Sequence, residues 1–290
     1  MENLSFVLAL EGTAPTASST TLERVLEYLV RRVQPEPSIT HIELFISPLE
    51  DGDDPHFATY MGNDKTDPPK PYTAGWGTAF EGGETFYMDP DGNFNSWRAV
   101  PIAMEGATAT LRNEAKKHVG TPYGMWWGTV PYLYLFAVPP FRALAGWLSD
   151  SVNDPAHCAT LVARILKGAF PEMGLDKPSS WYGPSTLFLE LSRRALMEKC
   201  GRVIPVVEGA TNLVKTTTLE SANDDDIKNM TAEQCQCEIQ HLSRLVIQAS
   251  ASGNVGEERN FQRSLAKALL RWHYAKRRSS SDEPDVPKTV

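Results

Sequence analysis

Residues 153–166, NDPAHCATLVARIL, constrain this chain more than any other stretch. Leu161, Val162, Ile165 and Leu166 recur at helical spacing and form an apolar face that has to be buried. Asp154 is a good N-cap and Pro155 suits a first helical position, so the helix is expected to start there. Cys158 then falls in the first turn and a half, on the same face. The partial positive charge of a helix N-terminus favours a thiolate over a thiol, so a nucleophilic cysteine is readily activated there. A free cysteine at such a place is also a good small core hydrophobe. The rest of the chain has to decide between the two.

The 290 residues, 41% hydrophobic and 22% charged, suffice for a real core in one large domain with an appendage or in two modest ones. A net charge of −8 argues against general nucleic-acid binding. The cysteines, Cys158, Cys200, Cys235 and Cys237, have neither the spacing of a disulfide framework nor that of a paired zinc site. A cytoplasmic or other reducing compartment is therefore expected, with no metal and no cofactor. The opening MENLSFVLALEG is acidic, and its apolar run is too short for a secretory signal. Residues 125–148, MWWGTVPYLYLFAVPPFRALAGWL, are long and apolar, but Pro131, Pro139 and Pro140 break any spanning helix. A buried or interfacial excursion is expected there. Its tryptophans and tyrosines suit a membrane interface, a protein partner or a greasy substrate groove.

Taken in order, the chain predicts a strand at 5–10 and an amphipathic helix over 22–33. Residues 40–46 alternate, with Ile42, Leu44 and Ile46 on one face and His41, Glu43 and Phe45 on the other. After the loop LEDGDDP, a strand at 56–61 makes a hairpin that brings His41 and His56 into one neighbourhood. Irregular strands follow in 73–88, then a strand at 97–104 and a helix from about Gly106 that Gly120 and Pro122 stop. Beyond the Cys158 helix come another at 185–199 and a strand at 203–207. The polar run 216–226 leads to two helical patterns, 231–248 and 256–278. The expected organisation is a main α+β domain over 1–200, a helical extension over 201–278 and a disordered tail at 279–290.

A thiol nucleophile needs a base and a third polar group to orient that base. Of six histidines, His241 and His273 lie in the extension, and His118 sits in a solvent-rich KKH helix end. His157 adjoins Cys158 but points about a hundred degrees away around the helix, which makes it a poor base. His41 and His56, both on expected strands, remain.

Three blocks carry a family resemblance. His41 opening an alternating strand resembles the histidine strand of circularly permuted NlpC/P60 domains, papain-like hydrolases of the YiiX/LRAT-like kind in which His precedes Cys. Residues 115–124, AKKHVGTPYG, resemble their pre-cysteine helix and its Gly-x-Pro-Tyr turn. Residues 157–164, HCATLVAR, resemble their nucleophile helix. The resemblance implies an antiparallel sheet packed on helices, with Cys158 as nucleophile and His41 as general base. Its third polar residue comes from the strand after His41. His56 is the chemically best candidate there, with Thr59 and Tyr60 as register alternatives. Many relatives are acidic at that place, and Gly124 stands where an acid usually follows Tyr. Tyr123 is expected to line the cleft.

The implied chemistry is hydrolysis or acyl transfer at an amide, thioester or lipid acyl bond, through a Cys-His pair and an acyl-enzyme. The inserted segment 125–148 tilts the expected substrate towards a lipid-like or membrane-proximal acyl group. The main rival is a catalytically inactive scaffolding protein on the same fold, such as a virion component, docking through its C-terminal helices. GxGxxG, P-loop, HExxH and GxSxG motifs are all missing from the sequence.

Overall fold

The computed structural model describes residues 5–11, 34–47, 55–59, 73–76, 96–102, 106–122, 156–193 and 230–281. The expected helix over 22–33, the excursion 125–148, Tyr123, Cys200, the strand at 203–207 and the tail beyond 281 lie outside these residues. The chain divides into two compact units, Met1–Val203 and Ile204–Val290.

The first unit is built on an antiparallel sheet of five strands: β1 (Ser5–Glu11), β2 (Ile39–Ile46), β3 (His56–Thr59), β4 (Ala74–Trp76) and β5 (Trp97–Ile102). Their spatial order is β4-β3-β2-β1-β5, so β2 is central. Among the described residues, three helices belong to this unit: α1 (Ala107–Lys117), α2 (Cys158–Ala169) and α3 (Pro184–Arg193). This is a mixed α+β architecture. The helix expected over 185–199 is described as far as Arg193.

The alternation in β2 sorts its side chains. Ile42, Leu44 and Ile46 join Val7, Ala9, Phe57, Val100 and Ile102 in a core completed by Leu111, Leu161, Val162, Ile165 and Phe188 from the helices. Each of the larger aliphatic side chains there is worth about 2–5 kcal/mol against truncation to alanine. The opposite face of β2 is buried as well. Leu8 pairs with Glu43 and Leu10 with His41 across β1, while Phe45 pairs with His56 across β3. All six of these residues are less than a tenth exposed. An alternating strand ordinarily has one wet face; here the polar positions of β2 sit inside the molecule.

The entry to β2 is pinned from α3 and β5. Ser185 N–H donates to Gln34 Oε1 at 2.9 Å, and Arg98 Nη1 lies 2.7 Å from Glu36 Oε1. Arg98 also stacks over the Phe188 ring at 5.0 Å from its centroid. These contacts fix the strand that carries His41.

Helix α2 is buried all round from Cys158 to Leu166, including Thr160 and Arg164, rather than on one apolar face. It packs on β2 and β3, on α1 and α3, and on two short 3₁₀ turns, Pro171–Met173 and Ser179–Trp181. It also starts later than Asp154 and Pro155 lead one to expect. Ala156 is extended, its N–H donating to Pro122 O at 3.0 Å, and His157 has the non-helical φ −85°, ψ 171° of a cap. A bond to a distant segment overrides the local start signal, and Cys158 becomes the first helical residue.

In the second unit, α4 (Ala232–Ser252) and α5 (Val255–Ser281) pack on each other. Thr231 begins α4 with a full capping box, its hydroxyl accepting from Gln234 N–H and the Gln234 side chain accepting from Thr231 N–H. Gly253, at φ 71°, ends that helix. Cys235 is buried at the helix interface and Cys237 is exposed.

Candidate active site

The site forms at the N-terminal end of β2, where α2 begins. His41 is the third residue of β2 and Cys158 the first of α2, and their side chains come close enough for their charges to act on each other. Cys158 is 7% exposed and His41 9%, whereas Glu43 is 0% and His56 2% exposed. The sulfur end of the constellation is therefore its outer end, and the carboxylate is sealed behind it.

The start of α2 is held from two sides. Gly120 N–H donates to Ala74 O at 2.9 Å and Ala74 N–H to Thr121 O at 2.8 Å, so the segment after α1 lies against β4. The next carbonyl, Pro122 O, accepts from Ala156. Gly120 takes φ 83°, a left-handed conformation that side chains with a Cβ rarely adopt. The Gly-Thr-Pro stretch thus joins the sheet edge to the residue two before the nucleophile.

His157 supplies the cap. Its Nδ1 accepts from Ala159 N–H at 3.2 Å and Thr160 N–H at 3.4 Å. Two of the donors that a helix start leaves free are thereby used, and the Cys158 N–H is not among them. With Nδ1 accepting, the ring proton sits on Nε2. The ring also lies beside Cys158 and favours its thiolate form. The sequence marks His157 only as a poor base; the structure adds that it caps the helix and favours the thiolate.

Glu43 lies between two histidines. His56 Nδ1 donates to Glu43 Oε1 at 2.7 Å, and His41 Nε2 lies 3.8 Å from Glu43 Oε2. The second distance is an attraction between charges rather than a hydrogen bond. Apolar and aromatic groups surround the three. Phe45 meets His56 edge-to-face at 5.0 Å between centroids, and Trp97 meets His41 in the same way at 6.2 Å.

The charges follow from this packing. Burial alone would raise the Cys158 pKa, but the His41 charge and hydrogen bonds from His157 and His41 outweigh it and bring the thiol down to about 5. Burial would likewise lower His41, yet the Cys158 charge and hydrogen bond, with Glu43 behind them, raise it to about 9. For Glu43, burial favours the acid, but attraction to His56 and contacts with both histidines bring it down to about 2. The order of cysteine and histidine is inverted relative to free side chains. Between pH 5 and 9 the pair is a thiolate facing an imidazolium.

The structure brings Cys158, His41 and His56 into one constellation, with Glu43 joining them. His56 reaches Glu43, not His41. It lies opposite Phe45, four residues along β2 from His41. Thr59 ends β3 opposite Ala74 of β4, and Tyr60 lies outside the described residues. His118 is not the solvent-facing residue expected of a KKH helix end. It is 2% exposed, 3.8 Å from Glu114 Oε1, and burial lowers its pKa. It takes no part in the constellation. Among the described residues no group of three or more His, Cys, Asp and Glu side chains is placed to hold a metal ion, and no helix is long and apolar enough to cross a membrane.

Compared with protein-family models, curated proteins and solved structures, the chain matches none.

Proposed function

We propose that the protein is a papain-like cysteine hydrolase or acyltransferase on a permuted NlpC/P60-type fold, with Cys158 as nucleophile and His41 as acid and base. One observation carries the reading: Cys158 is the first residue of a buried helix, and its thiol interacts with a histidine on the central strand of the sheet. The order of the chain, histidine strand before cysteine helix, agrees with it.

In the reaction, the Cys158 thiolate attacks the carbonyl carbon of an amide, thioester or ester. The S–C bond forms, and the carbonyl π pair moves onto oxygen. The Cys158 N–H, which the His157 cap leaves unused, is the first-turn donor available to that oxyanion. The oxyanion collapses and the bond to the leaving group breaks. The His41 imidazolium gives its proton to that group, leaving a thioester on Cys158. A water or an acceptor nucleophile then loses its proton to His41 and attacks the thioester. The acyl group departs as acid or transfer product, and the thiolate–imidazolium pair is restored.

The test is labelling with a low concentration of a thiol-reactive probe from pH 4 to 10, with the modified residue located by mass spectrometry. Rapid labelling of Cys158 that persists well below the ordinary thiol pKa of about 8.5, and is lost in His41→Ala, supports the reading. Slow labelling that His41→Ala leaves unchanged would sink it and leave the scaffolding alternative.

A further inference from the structure

The Cys158–His41 pair needs an orienting group, and a papain-like site ordinarily takes it from the next strand. Here the next strand contributes His56, and His56 does not orient His41. Its Nδ1 donates to Glu43 at 2.7 Å instead. Glu43 stands two residues after His41 on the same strand, so both side chains fall on one face of the sheet. It is fully buried, with Leu8 opposite it and Phe45 next on its own face. An ionised carboxylate in such surroundings is expensive unless paired. Charges alternate along the row: thiolate, imidazolium, carboxylate, and a histidine whose proton points at the carboxylate.

We infer that Glu43 is the positioning residue of the Cys158–His41 pair, and that His56 acts one step removed by holding Glu43 ionised and in place. This rests on the proposed cysteine chemistry and deepens it. The orienting acid comes from the base's own strand, in a His-x-Glu pattern, rather than from the following strand. Glu43 touches no substrate; it acts through His41, keeping that ring charged and turned towards the sulfur.

The experiment compares the pH profile of Cys158 labelling in the whole protein with those of Glu43→Gln and His56→Gln. Glutamine keeps the volume of Glu43 and can still accept from His56, while removing the charge. With an anionic haloacetate as the probe, labelling falls again as His41 loses its proton, and Glu43→Gln is expected to move that upper midpoint down by about one pH unit, as loss of the charge opposite the imidazolium does. His56→Gln should move it in the same direction by less. Glu43→Asp, which keeps the charge on a shorter stem, should fall between wild type and Glu43→Gln. A midpoint that Glu43→Gln leaves in place, or that His56→Gln moves further than Glu43→Gln, overturns the inference. If the wild-type thiol itself is not activated, the underlying chemistry has failed instead, and the two failures are distinct.

Should Glu43→Gln not fold, Cys158→Ala gives a second measurement. With the thiolate gone, Glu43 is the anion left beside His41 in the row. NMR titration of the His41 ring should give a midpoint at or above the ordinary value of about 6.5. A midpoint well below that, the direction in which burial alone drives a histidine, overturns the inference.

Discussion

His157 caps the helix that Cys158 begins. Its ring nitrogen accepts the N–H groups of the two residues that follow the nucleophile, and the same side chain favours the thiolate. One side chain thus serves both the stability of α2 and the acidity of the residue beside it.

The two roles separate by substitution. His157→Ala is expected to cost roughly 1 kcal/mol through the lost cap, seen in a denaturant melt. His157→Asn restores most of that stability, since asparagine caps well, but lacks the ring. Both variants should label Cys158 with a midpoint above that of wild type. A His157→Asn protein that matches wild type in labelling would show that the ring contributes only its cap.

Stability should depend on pH through the pair itself. The folded thiol pKa of about 5 lies below its ordinary 9.0, so Cys158 stabilises the fold above the unfolded value and loses that contribution as pH falls through about 5. The folded His41 value of about 9 lies above 6.5, so its contribution is complete below 6.5 and is lost as pH rises through about 9. The two trends oppose each other between 6.5 and 9, where stability should be nearly flat. Below 6.5 only the cysteine slope remains, so stability should fall towards pH 5. Equilibrium melts across this range should show that slope in wild type, and Cys158→Ala should abolish it.

Glu43 sets a deeper acid limit. Its folded value of about 2, against 4.5 for a free glutamate, means that its stabilisation is present above 4.5 and is lost as pH falls through about 2. Glu43→Gln should therefore flatten the acid arm of the stability curve below pH 4.5, whatever its effect on labelling.

Gly120 has open space where a side chain would go but a backbone that resists one. At φ 83°, Gly120→Ala should cost about 1–2 kcal/mol from the left-handed conformation alone. Because the next two residues bond Ala74 and Ala156, the variant should also slow Cys158 labelling at neutral pH. An unchanged melting midpoint would show that the segment relaxes without strain.

Thr231→Ala removes the capping box of α4 and should lower stability by about 1 kcal/mol. Hydrogen exchange should localise the loss of protection to the first turn of α4. Cys158 labelling should be unmoved.

The parts of this structure legible from residue order are those governed by periodicity. The alternation 40–46 puts His41 and Glu43 on one face of a strand, the His56 hairpin is visible from its intervening turn, and Cys158 falls near a helix start. Long-range contacts are not visible. The start of α2 is displaced from Asp154 to His157 because Pro122, 34 residues earlier, holds Ala156 extended. A cap histidine also has no strong sequence signature, since serine, threonine, aspartate and asparagine lead that position. Glu43 is in plain view, but a mid-strand carboxylate beside apolar neighbours reads as the wet side of a sheet. Only the burial of both faces turns it into a partner for two histidines. His118 misleads in the same way: Lys116 and Lys117 beside it are solvent-facing, and the next residue around the helix is not.

The bond from Ala156 to Pro122 has a topological consequence. It closes a ring of backbone: the chain leaves the sheet edge at Pro122 and comes back to it at Ala156, one hydrogen bond away. The entropy of closing such a ring rises only slowly with the number of residues it contains, so the bond costs little more for spanning a long stretch of sequence than it would for a short one. What it secures is local: the residue two before Cys158 is tied to the end of the segment that lies along β4, and the nucleophile is referred to the sheet rather than to its neighbours in the chain.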